Sequence, residues 1–187
     1  MKPSFGRALV LACALFAAAC GQSESVMEQI QKAEEEEARS AQTNLAAAQR
    51  FLAEAATRPG VVTLPSGVLI QPVSASPNQS LARPNRESIV LVHYQGTLPN
   101  GDVFDSSVQR GQPAEFPLAG VIPGFAEALL LMRPGDTIVA FIPPEQGYGP
   151  AGQPPAIPGN SALIFRVQLL AFRNPDGSIV AAPSPPR

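Results

Sequence analysis

Histidine occurs once in this sequence, as His93, and both cysteines, Cys13 and Cys20, fall within the first twenty residues. A lone imidazole cannot build a multi-histidine metal site and argues against a Ser-His-Asp hydrolase. The rest of the chain has no cysteine for an intramolecular disulfide or a thiolate metal site. Asn100-Gly101-Asp102 has a superficial look of calcium chemistry, but the ladder of oxygen ligands and the terminal glutamate of such a loop are missing. It reads instead as a hairpin turn between Thr97-Leu98 and Val103-Phe104, with positive φ expected at both central positions. Asp105 follows that turn, where an aspartate can simply bond nearby backbone groups. Phe104, Phe116 and Phe165 are, on residue type alone, core of a small sheet protein. The chemistry that remains is binding in an apolar hollow.

Such a hollow must be built by the elements between Pro59 and Phe172. Short apolar runs there alternate with Pro, Gly, Asn and Ser. Val68 to Pro72 reads as a strand, and Glu87 to Leu98 as a longer one with Val90, Val92 and Tyr94 on one face and His93 on the other. Phe125 to Met132 is a short apolar helix closed by Arg133-Pro134-Gly135. Thr137 to Ile142 and Leu163 to Phe172 are further strands, the last with Leu163, Phe165, Val167 and Leu169 inward and Arg166 and Gln168 outward. The fold class is α+β, a twisted antiparallel sheet wrapped on one short helix. So small a helix cannot fill the concave side of the sheet, and loops must complete the wall around an apolar pocket.

Composition agrees with one such domain. Of 187 residues 45% are hydrophobic, enough core for roughly 100 to 150 residues. The net charge is -2 and no basic stripe exists, so nucleic acid is not an expected partner. Residues 1–19 read as a signal peptide: Lys2 and Arg7 precede an apolar run from Ala8 to Cys20 that is too short for a membrane span. Leu15-Phe16-Ala17-Ala18-Ala19-Cys20-Gly21 resembles a bacterial lipobox, with Ala17 where leucine is usual. The resemblance implies lipidation at Cys20 and attachment to the periplasmic face of the outer membrane. Cleavage without lipid, releasing a soluble periplasmic protein, is the alternative.

Residues 20–58 form the lipidated end and a helical stalk. No proline or glycine interrupts Glu24 to Thr57, and Ala, Glu, Gln, Leu and Arg dominate. Thirty such residues would reach roughly 45 Å. Ala38, Ala41, Leu45, Ala48, Leu52 and Ala55 recur at three- and four-residue steps, so the helix is either a solvated spacer or one half of a homodimer seam. Arg58-Pro59-Gly60 ends it. Residues 59–172 are then the compact domain, and 173–187 a loose, Pro-rich tail.

Within the compact domain several blocks resemble the FKBP-type peptidyl-prolyl cis/trans isomerases. They are Val92-His93-Tyr94-Gln95-Gly96, Gly101-Asp102-Val103-Phe104-Asp105-Ser106-Ser107, Val121-Ile122-Pro123-Gly124-Phe125, Leu131-Met132-Arg133-Pro134-Gly135, Gly147-Tyr148-Gly149 and Ile157 to Phe165. Their order and spacing span about Leu64 to Phe172. The resemblance implies an isomerase without a cofactor or metal, acting on proline-containing unfolded or exported polypeptides. It implies catalytic roles for Tyr94, Phe104, Asp105, Phe125, Tyr148 and Phe165. Val121, Ile122, Arg110, Phe116 and Ile157 would contact substrate, Phe116 mainly as packing. Phe125 would be the floor, Tyr148 would donate its hydroxyl to a substrate carbonyl, Ile122 would offer its backbone N–H, and Asp105 would pair with Arg110 beside Tyr94.

Departures from the family lie at Phe125, where tryptophan is usual, and at Ala114, Gln153 and Ala156. The change at Phe125 leaves open a non-catalytic FKBP-fold chaperone or protein-binding module on a lipoprotein anchor. A lipoprotein whose stalk and tail matter more than its pocket is the third reading.

Overall fold

The computed structural model describes residues 25–183; the signal peptide, Cys20 and the last four residues, on which several expectations fall, lie outside them. Helix α1 spans Val26–Ala56. Ser25 caps it, its Oγ accepting the Glu28 N–H at 3.2 Å, and Gly60 at φ +75° turns the chain away after it. The chain divides after Glu37 into two units. The described residues of the first, 25–37, are the opening turns of α1, with every side chain exposed.

The second unit begins at Ala38, not at residue 59, because the end of α1 is built into it. Ala55 is fully buried with Leu69 and Phe141, and Phe51, Leu52, Val61, Val139 and Ile164 pack around them. Arg58 lays its guanidinium 5.3 Å from the Phe141 ring centroid and 5.7 Å from that of Phe51. Ala55, the last alanine of the seam, is thus packed inside the protein rather than on a solvated spacer face, and Ala48 is buried as well. At this end the helix is turned toward the protein's own sheet, and alanine's lack of bulk lets it come close.

The sheet has eight antiparallel strands: β1 (Val62–Thr63), β2 (Leu69–Ser74), β3 (Ile89–Thr97), β4 (Val103–Ser106), β5 (Ala114–Pro117), β6 (Thr137–Ile142), β7 (Leu163–Arg173) and β8 (Ile179–Ala181). The order is β1-β2-β6-β7-β3-β4, with β5 on β3 and β8 on β7. One face carries Val90, Val92, Tyr94, Ile138, Ala140, Ile142, Leu163, Phe165, Val167 and Leu169, covered by Phe125, Ala128, Leu129 and Met132. Phe125, Ala128 and Leu129 belong to helix α2 (Pro123–Leu130), which starts at Pro123 because proline loses no hydrogen bond in a helix's first turn. Strand β6 reads Ile-Val-Ala-Phe-Ile without alternation because both its faces are covered, one by α2 and the other by α1.

Two turns differ from expectation. At Leu98-Pro99-Asn100-Gly101 only Gly101 has positive φ, +94°. The Gly101 N–H donates to Leu98 O and the Leu98 N–H to Asp102 O, both at 2.9 Å. Pro99 sets an ordinary turn and the glycine behind it supplies the left-handed residue, so Asn100 need not. The same device recurs at Asn174-Pro175-Asp176-Gly177, where Gly177 has φ +84° and Asn174 bonds Ser178 O at 2.9 Å. It folds β8 back on β7, pairing Ile179–Ala181 with Ala171–Arg173. The start of the tail expected to be loose is thus part of the sheet.

Candidate active site

Period-two alternation on β3 and β7 aims Tyr94 and Phe165 into the concave face, while β4 brings Phe104 and Asp105 alongside. Gly96 makes room: a Cβ there would lie 2.5 Å from the Phe104 ring. Phe125, on the first turn of α2, is 3% exposed, its ring centroid 4.6 Å from Phe165, 6.1 Å from Tyr94 and 6.3 Å from Phe116. Phe104 meets Phe165 edge-on at 5.5 Å. These rings surround a cavity of about 630 Å³ whose rim is completed by Val121, Ile122, Tyr148 and Ile157. Phe116 lies edge-on to Tyr94 at 5.5 Å and lines the same cavity, so it packs and faces the hollow at once.

One side of the rim is polar. The Tyr94 hydroxyl donates to one oxygen of Asp105, Arg110 donates to the other, and Arg110 also donates to the Tyr94 oxygen at 3.1 Å. Burial works against the Asp105 charge, but the hydrogen bonds from Tyr94 and Arg110, with the guanidinium charge, outweigh it and hold the carboxyl below its ordinary range. Burial and the bond to Asp105 push the Tyr94 hydroxyl above its usual value against the pull of Arg110. Tyr148 is raised as well, first by burial and then by the Asp105 charge. Its hydroxyl bonds no described residue. Ile122 caps α2 with its carbonyl, which accepts the N–H groups of Phe125 and Ala126 at 3.1 Å. Its own N–H has no described partner at the cavity rim.

The anticipated residues other than Arg110 and Cys20 all line this one hollow; Arg110 stands at its edge through Asp105. Ala114 does not line it and packs into the core from β5. His93 sits on the other side of β3, its Nδ1 3.3 Å from Ser107 Oγ. Sequence reasoning passed over Gly120 and Pro154 and noted Gln153 and Ala156 only as departures, yet all four line the cavity. Their position in the loops flanking Ile122 and Ile157 was the available signal. Among the described residues no group of three or more His, Cys, Asp or Glu is placed to hold a metal ion.

An apolar aromatic bowl with a few unspent donors at its rim suits recognition of a compact apolar ring flanked by carbonyls. Residues 81–170 match the family model described as FKBP-type peptidyl-prolyl cis-trans isomerase, and residues 15–71 match that of the domain amino terminal to it. The peptidyl-prolyl cis-trans isomerase Mip of Coxiella burnetii is 45% identical over 123 residues, covering 66% of this chain and 52% of that protein. The outer membrane protein MIP of Legionella longbeachae is 39% identical over 133 residues, covering 71% and 56%. The chain thus spans about half the length of these curated relatives. The crystal structure of FkpA from Escherichia coli superposes with a TM-score of 0.69 at 35% identity, over 87% of this chain and 76% of that one. Motif order, sheet topology and these matches agree: the chain belongs to the FKBP-type peptidyl-prolyl cis-trans isomerases.

Proposed function

We propose that this protein catalyses cis/trans isomerisation of the peptide bond before proline in exported or unfolded polypeptides. The observation that carries the reading is the convergence of Tyr94, Phe104, Phe125 and Phe165 on one open cavity whose rim holds the uncommitted Tyr148 hydroxyl and Ile122 N–H. No bond is made or broken in the reaction. Its barrier, about 18 to 20 kcal/mol, is loss of amide resonance as the bond twists. The twisted imide carries less charge on its carbonyl oxygen and is less well solvated by water than the planar one. A dry aromatic site favours it for that reason. A millionfold acceleration requires about 8 kcal/mol of such preference.

In this reading the prolyl ring rests on Phe125 between Tyr94, Phe104 and Phe165, with Val121 and Ile122 as the opposite wall. Tyr148 and the Ile122 N–H hold the flanking carbonyls. Asp105 stays ionised at the rim, where Arg110 and Tyr94 fix it, and takes no proton from the substrate. Phe116 and Ile157 close the far side.

Export through residues 1–19 and anchoring at Cys20 belong to the same proposal. They are supported by the leader sequence and by similarity to a relative named an outer membrane protein. Each buried methylene of an acyl chain would add about 0.8 kcal/mol to membrane attachment. A homodimer through α1 belongs to the proposal too, and would use the turns before Ala38, whose side chains are exposed. The test of function is the isomerisation rate of peptides with an apolar residue before proline, measured by NMR exchange. Acceleration that rises with protein concentration is expected; a rate equal to background would leave a binding module as the reading.

A further inference from the structure

The loop from Gly149 to Asn160 forms one wall of the hollow through Gln153, Pro154, Ala156 and Ile157. It is held internally by a reciprocal pair, Gln153 N–H to Ile157 O at 2.8 Å and Ile157 N–H to Gln153 O at 3.0 Å. Its stem closes where the Asn160 N–H donates to Gly149 O at 2.8 Å, next to Tyr148. That stem is also tied from outside. Asn44 of α1 donates its side-chain amide to Gly159 O at 3.0 Å, and Asn160 donates its own to Ala41 O at 3.1 Å.

Ala41 and Asn44 lie one turn apart on a single face of α1, so the two bonds form a double latch between helix and loop. Asn160 reaches the helix from a left-handed conformation, φ +56°, the only such value at a non-glycine among the described residues. A strained backbone angle at this position is accounted for if the side chain must point at the helix. The helix itself is anchored independently, about two to four turns further on, by Ala55 and Phe51 against Phe141. It can therefore serve as a fixed post.

We propose that Asn44 and Asn160 are positioning residues for the substrate site, clamping the Gly149–Asn160 wall to α1 and so setting how tightly the hollow holds the peptide that flanks its proline. This rests on the hollow being the prolyl-peptide site. The latch acts through Ile157 and its neighbours and touches no reacting atom, so its loss weakens substrate binding rather than the twist itself.

The test uses the full chain carrying Asn44→Asp, which keeps the shape but removes the donor, and Asn160→Gly, which removes the amide while accepting the backbone angle. Amide hydrogen exchange is read at Gln153, Ile157 and Asn160, with the β3 and β7 amides as the reference. Isomerisation kinetics are read as KM and kcat separately. Expected are exchange about tenfold faster in the loop with the reference unchanged, and KM raised about threefold or more with kcat within about twofold. Unchanged loop exchange in both variants overturns the proposal. Loosening of loop and reference alike overturns it too, since that is loss of stability, as does faster loop exchange with wild-type KM. Were the wild type itself inactive, the function proposed above would fail, and the exchange comparison, which needs no substrate, would still decide the latch.

Discussion

The rings of Phe125 and Phe165 lie 4.6 Å apart at an interplanar angle of 34°, one on the first turn of α2 and the other on β7, and together they form the base of the cavity. Helix and sheet meet there, so the same contact seals the core and shapes the floor.

Replacing Phe125 with alanine should therefore damage both. The residue is 3% exposed, and truncating a buried phenylalanine costs about 3 to 5 kcal/mol. Urea unfolding should show a loss of that size, and kcat/KM, measured where the variant is still folded, should fall at least about tenfold. Stability lost with full activity retained would mean that substrate does not rest on this ring.

Tyr148→Phe separates catalysis from folding. The hydroxyl bonds no described residue, so the melting temperature should stay at the wild-type value. Loss of one hydrogen bond to substrate, about 0.5 to 1.5 kcal/mol, should lower kcat/KM roughly two- to twelvefold. Unchanged kinetics would remove Tyr148 from the site.

The pH profile follows from the directions in which Asp105 and the two tyrosines, Tyr94 and Tyr148, are shifted. Asp105 is depressed below its usual 3.8, so the ion pair and the Tyr94 bond are present above that value and lost only as pH falls through the lower folded one. Tyr148 is raised above 10.0, so its donating hydroxyl persists until pH exceeds that. Isomerisation should be flat from about pH 5 to about pH 9. An inflection near neutrality would require a proton-transferring group that this mechanism lacks.

Ala55→Leu probes the docking of α1. The site is fully buried against Leu69 and Phe141, and forcing extra methylenes into it should cost about 1 to 3 kcal/mol in urea unfolding. A neutral effect would mean that the helix end is free in solution, as the spacer reading had it.

Much of this architecture is legible along the chain, because strand and helix periods are local. Val90, Val92 and Tyr94 alternate with His93, and Leu163 to Leu169 alternate with Arg166 and Gln168, so facing could be read before pairing was known. The ordered motifs placed Tyr94, Phe104, Asp105, Phe125 and Tyr148 in one neighbourhood. The unbroken apolar run in β6 also carried a second message, that its outer face needed a cover, and Pro175-Asp176-Gly177 repeated the turn chemistry of Pro99-Asn100-Gly101.

What the amino-acid order determined by itself, then, is which residues face together and where the chain must turn, since these depend on neighbours a few positions apart. Only the tertiary structure decided the partners: that Ala55 of α1 meets Leu69 and Phe141, and that Asn44 meets a loop more than a hundred residues away. An alanine seam encodes closeness but not identity. What it approaches is selected by the whole fold, through the surface left uncovered once every other strand and helix is in place.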